Sequence, residues 1–140
     1  MKFRPLWILP IAVVAMSAIG IYRGYANRQE QPWRHDLGKA LAEAKAKNKL
    51  VLVDFNATWC GPCKMYRDSV FPNADFQNRA KDLILVDIDI DQQQALAMNY
   101  KVHGIPDIRV ISPSGAELGK VVGFEEQELY SAIDLAQALK

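Results

Sequence analysis

Both cysteines of this 140-residue chain fall within Trp59-Cys60-Gly61-Pro62-Cys63-Lys64, and no other stretch constrains the fold as much. Two thiols with two residues between them can close into a small disulfide ring and reopen, which is the chemistry of dithiol exchange. No third cysteine is present to hold a structural bridge. The motif also marks a change of rhythm, because the apolar, β-prone run Leu50 to Phe55 precedes it and a helical pattern follows. A strand that ends where a helix begins, with the thiols at the junction, points to a layered α/β domain.

The N-terminus reads differently. After Met1-Lys2-Phe3-Arg4-Pro5, residues 6–22 carry no charge, and Arg23 and Arg28 follow. As a helix this run would span about 26 Å, against roughly 30 Å for a hydrocarbon core. Basic flanks frame it as a membrane-crossing unit, either a retained anchor or a signal segment cleaved near Gly24-Tyr25-Ala26. The expected organisation is therefore a segment 1–31, anchor or signal plus polar tether, and a domain 32–140 placed outside the cytoplasm. Residues 1–31 hold four of the 17 basic and one of the 16 acidic side chains, leaving 13 and 15, a net charge near −2. That balance argues against a nucleic-acid partner, which calls for a basic surface.

Within the domain, Leu37, Ala40, Leu41 and Ala44 recur at helical spacing up to Lys49, with Asp36 as N-cap. The runs Leu50–Phe55 and Leu83–Asp89 are continuously apolar rather than alternating, as in strands covered on both faces. Helices are expected over Met65–Val70, 73–81 and 92–99. The segments 108–111 and 118–122 flank Ser112-Pro113-Ser114-Gly115 as an antiparallel hairpin, and a last helix covers 125–139 with Leu129, Ile133 and Ala136 on one face. The order is α-β-α-α-β-α-β-β-α.

From about residue 37 to 140 the chain resembles the thioredoxin family, and more narrowly its membrane-anchored or exported bacterial branch. The resemblance rests on Trp59 to Lys64, on the strand ending in Asp54-Phe55, on Gly104-Ile105-Pro106, and on the hairpin followed by Gly123 and a helix. It implies a thioredoxin fold, α/β, with a mixed central sheet flanked by helices, here preceded by the N-terminal membrane-directed helix. Two positions depart from the family. Asp107 follows the loop proline where threonine is usual, and Asp87 stands where many members carry lysine, so both add negative charge near the site.

The resemblance assigns roles residue by residue. Cys60, at a helix N-terminus whose free N–H groups favour an anion, is the expected nucleophile, and Cys63, almost one turn on, the resolving thiol of the redox-active disulfide. A static disulfide or half a zinc site is the plain alternative, but His35 and His103 do not supply zinc-finger spacing, so no metal and no cofactor are expected. Gly61 and Pro62 set the turn between the thiols. Asp54, if it lies beneath the helix, accepts the Cys63 proton; otherwise it faces solvent or caps a turn. Ile105-Pro106 is expected to be a cis bond beside the cysteines, whose preceding backbone pairs with an extended substrate, against an ordinary trans proline. Trp59 contributes to partner docking or to the core, as does Phe55; Lys64 either favours the thiolate or is merely solvated. Asp107 either repels acidic substrates or holds a turn.

The expected activity is that of a protein-disulfide reductase acting on protein disulfide substrates. It sits at the bacterial inner membrane facing the periplasm, or free in the periplasm if residues 1–31 are cleaved. In an oxidising compartment it requires a transmembrane electron donor. Alternatives are a disulfide oxidase or isomerase, or a non-catalytic copper chaperone or redox-gated adaptor using the same thiols.

Overall fold

The computed structural model describes residues 32–140. The expected membrane-directed run at residues 6–22 lies outside the described residues. Among the described residues no helix is long and apolar enough to cross a membrane.

The elements follow the expected order: α1 (Leu37–Lys47), β1 (Val51–Asn56), α2 (Gly61–Met65), α3 (Ala74–Ala80), β2 (Ile84–Asp89), α4 (Gln94–Asn99), β3 (Asp107–Ile111), β4 (Glu117–Val122) and α5 (Glu126–Ala138). The four strands form one mixed sheet in the order β2-β1-β3-β4, with β1 and β2 parallel and the other two pairings antiparallel. The hairpin is as expected, with a register shift between Val110 and Ile111. Ahead of α1, Arg34 forms a single bridge alongside Val86, and the Trp33 ring packs on Phe71.

Because β1 is sheathed on both sides, its alternate residues feed two cores. Val51, Val53 and Phe55 pack with Leu37, Ala40 and Ala44 of α1, and Leu96 ahead of them on α4 closes the same layer. The alanine side of α1 lets it lie close to the strands. Leu50 and Leu52 face the other way, into Tyr66, Val70, Phe76, Leu129 and Ile133. Asp36 caps α1 by accepting the Lys39 amide, as its position before the first apolar residue requires.

Two local features depart from the periodic pattern. The helix after the cysteines is α-helical only through Met65 and continues as a π-helical turn over Tyr66–Val70, where the Phe71 amide reaches back to the Tyr66 carbonyl at 2.8 Å. Such turns concentrate near functional sites. Secondly, β1 runs one residue beyond Phe55 to Asn56, a polar residue that a search for apolar runs stops short of.

Candidate functional site

The site assembles at one end of the sheet. The strand order brings to that end the segment after β1, which carries the cysteines, the loop before β3, and the connection after β4. Cys60 and Cys63 are joined by a disulfide and cluster with Ala57, with Ile90 and Ile105 packed against them. Cys60 is the N-cap of α2, and its Sγ accepts the Cys63 main-chain N–H at 3.2 Å. An amide aimed at this sulfur stabilises it when it carries charge, so the expected nucleophile has the right electrostatic setting. Pro62 lies in the first turn, where its missing N–H costs no hydrogen bond.

Exposure separates the two sulfurs. Cys60 keeps 4% of its surface and Cys63 none, while Gly61 and Pro62 beside them are exposed. Trp59 is 68% exposed, with its indole N–H held by Asp91 at 2.8 Å, so it belongs to the rim of the site and not to the core. Phe55 is the reverse: fully buried and packed on the Tyr100 ring, it supplies no surface at the site. Lys64 pairs with Asp68 one turn on, at 2.8 Å, so its charge is engaged away from the sulfurs.

The Ile105–Pro106 peptide bond is cis. Pro106 is buried and its carbonyl accepts the Gly123 N–H at 2.8 Å, which ties the loop to the end of β4. Ile105 lies outside the β3 ladder and touches the cysteine cluster. Gly123 itself has φ +88°, a left-handed conformation that suits glycine where the chain turns from β4 into α5. His103 is exposed in the same loop.

Asp54 shares the face of β1 that carries Leu50 and Leu52, the face packed against Tyr66 and Val70 of the π-helical turn. It is 2% exposed, and its Oδ1 has no hydrogen-bond partner. Burial, above all, and then the neighbouring Asp87 charge push its pKa up to about 7, against the smaller pull of Arg67 and the Asn56 amide. A carboxyl with that proton affinity, near the turn that continues the cysteine helix, can take and return a proton near neutrality.

Asp107 is placed otherwise than expected. It pairs across the sheet with Phe55, so it occupies the opposite face from Asp54, and it is 1% exposed. Arg109 grips it with two hydrogen bonds, at 2.8 and 2.9 Å, and Lys120 lies 3.4 Å away. Arg109 in turn bonds Glu117 and stacks over Phe55 and Tyr100. The residue neither repels substrates nor holds a turn; it anchors a buried ion-pair network, and its charge is compensated there. The spacing Asp107-x-Arg109 puts both on one face of a strand, a period-two signal present in the sequence.

Three contributors escape motif reading. Asn56 Nδ2 donates to the Asp54 carbonyl and Oδ2, both at 3.2 Å, and to Asp87 Oδ1. Arg67 Nη1 donates to Asn56 Oδ1 at 3.3 Å. Tyr66, fully buried, accepts the Glu125 N–H on its hydroxyl at 2.9 Å and so ties the cysteine helix to the start of α5.

A sheet of this topology with a buried acid on the strand that leads to a paired-cysteine helix defines a class, the domains built for thiol-disulfide exchange. The family model described as thioredoxin matches residues 35–135, and the chain belongs to the thioredoxin family. It is similar to Thioredoxin H2-1 of Oryza sativa subsp. japonica, 36% identical over 90 residues, which cover 64% of this chain and 62% of that protein. A thioredoxin of Echinococcus granulosus is 39% identical over 90 residues, covering 64% of this chain and 79% of that one. Among solved structures, thioredoxin NaTrxh of Nicotiana alata superposes with a TM-score of 0.61 at 34% identity, covering 69% of this chain and 81% of its own. The match thus spans about three fifths of the length of the rice relative.

Proposed function

We propose that the chain is a protein-disulfide reductase, tethered by residues 6–22 at the bacterial inner membrane with its domain in the periplasm, and re-reduced there by a transmembrane dithiol donor. In its reduced form the Cys60 thiolate attacks one sulfur of a client disulfide; a mixed disulfide forms and the client's other sulfur leaves as thiolate. Asp54 then takes the Cys63 proton, and the Cys63 thiolate attacks the Cys60 sulfur. This closes the Cys60–Cys63 disulfide and releases the second client thiolate, so two electrons have passed from the dithiol to the client.

The observation that carries this reading is the asymmetry of the pair. Cys60 holds the amide-facing, outer position, and Cys63 lies behind it, fully buried, while Asp54, buried near the turn that continues their helix, has a raised proton affinity. The open main chain of Ile105 supports the docking of an extended client: among the described residues its N–H and C=O make no hydrogen bond. Gly61-Pro62 between the cysteines, like that of reducing thioredoxins, supports the direction. The membrane location rests on the basic-flanked apolar run, and the need for a donor follows from an oxidising compartment.

The test is a Cys63→Ser chain expressed in cells. It is expected to accumulate mixed disulfides through Cys60, which identifies the clients, and a Cys60→Ser chain is expected to trap none. The wild-type reduction potential is expected near the thioredoxin value of about −270 mV, and a value near about −120 mV would overturn the reductase direction in favour of an oxidase.

A further inference from the structure

The two buried acids of the domain are treated differently by their surroundings. Asp107 has Arg109 and Lys120 against its oxygens. Asp54 has no cation in hydrogen-bond contact, and its nearest charged neighbour along the sheet is another carboxylate. Parallel pairing of β1 and β2 sets Asp54 directly opposite Asp87, and residues so paired present their side chains on the same face. The Asn56 amide joins them. Its Nδ2 has two hydrogens for three acceptors, the Asp54 carbonyl, Asp54 Oδ2 and Asp87 Oδ1, so whatever it gives to Asp87 is withdrawn from Asp54.

We propose that Asp87 is a positioning residue for thiol exchange: lying opposite Asp54 and sharing its Asn56 amide, it keeps Asp54 a strong enough base to accept the Cys63 proton. The inference rests on the proposed role of Asp54 as that acceptor. A carboxylate with ordinary acidity is a poor base for a thiol, and a like charge on the neighbouring strand narrows the mismatch. Other groups act on the same carboxyl. From the cysteine helix, Arg67 opposes the effect across Asn56, and the buried Tyr66 is uncharged; from β3, Asp107 reinforces it weakly, its charge being compensated. On the outer side of Asp87, His35 Nδ1 lies 3.7 Å from Oδ2, and when protonated it weakens the Asp87 charge. Asp87 is partly exposed at the margin of the site while Asp54 is sealed within.

The experiment follows the Asp54 side-chain carbon by NMR as pH is varied, in the oxidised full chain, where the disulfide removes thiol titration. Asp87→Asn is expected to lower the Asp54 midpoint by about 0.5 unit or more, and Asp87→Glu to bring it back toward the wild-type value. A smaller shift, an upward shift, or a Glu variant that behaves like Asn overturns the proposal. The second readout is the pH dependence of the rate at which Cys63 resolves a preformed mixed disulfide on Cys60. Its midpoint is expected to move with the NMR midpoint in each variant. A wild-type resolution rate indifferent to the Asp54 titration removes the base itself and the mechanism proposed above. An Asp54 midpoint unmoved by Asp87→Asn removes only Asp87.

Discussion

At the scale of single residues, the cysteine pair was legible from spacing alone, and Asp54 was singled out because a carboxylate inside an apolar run needs a reason to be there. The resemblance places Asp87 near the site, but the residues alone do not show how it meets Asp54. Asp87 meets Asp54 through strand pairing across 33 positions, and Asn56 joins them only because β1 extends past Phe55. Asp107 stands out in the sequence as a departure from the family, and its partner Arg109 sits two positions away on the same strand face. Burial of Asp54 has a measurable consequence. Its pKa rises from 3.8 to about 7 on folding, so between those values the unfolded chain sheds a proton that the folded chain retains. Stability from this group is fully present below about pH 4, falls by about 2–4 kcal/mol as pH rises to about 7, and is level above. Asp54→Asn removes this dependence. The difference between wild-type and variant unfolding free energies, from denaturant titrations at pH 4 to 8, is expected to change by that amount in the variant's favour. Parallel curves would show that the carboxyl is not held protonated.

At the scale of elements, continuous apolar runs locate β1 and β2 and alanine spacing locates α1, because burial on both faces or on one leaves a plain pattern, while the Ser112 to Gly115 turn cluster locates the β3–β4 hairpin. The π-helical turn left none. It arises where Tyr66 and Phe71 must both enter the core below the cysteines, and the bond from Phe71 back to Tyr66 is a tertiary compromise. Tyr66 also makes the polar link from this turn to α5. Its hydroxyl donates weakly to the Gly123 carbonyl at 3.4 Å and accepts the Glu125 N–H at 2.9 Å. Tyr66→Phe keeps the ring stack with Phe71 but strands that N–H at the start of α5. The expected cost is about 1–3 kcal/mol in denaturant unfolding of the oxidised chain, the range for a partner removed from a polar group away from water. An unchanged midpoint would mean that water replaces the hydroxyl.

At the scale of the whole molecule, the sheet order explains why segments far apart in sequence act together. β1 runs toward the site and delivers the cysteines; β3, antiparallel to it, begins there and delivers Ile105 and Pro106; β4 ends there and delivers Gly123. The buried acid and its partners come from β1, β2 and the cysteine helix. Each of these segments lies within residues 32–140, as do both cores. If residues 6–22 carry the cellular address as proposed, exchange chemistry and address separate on truncation. A chain reduced to residues 32–140 is expected to form the Cys60–Cys63 disulfide and to reduce a model protein disulfide at a rate within about twofold of the full chain. Twofold corresponds to only about 0.4 kcal/mol at the barrier. It is also expected to lose sedimentation with bacterial membranes, which the full chain retains if residues 6–22 stay attached. Loss of exchange activity in a folded truncated chain would place part of the machinery in the first 31 residues. A full chain found wholly in the soluble periplasmic fraction would select cleavage over anchoring, and one found in the cytoplasm would overturn the proposed location while leaving the thiol chemistry intact.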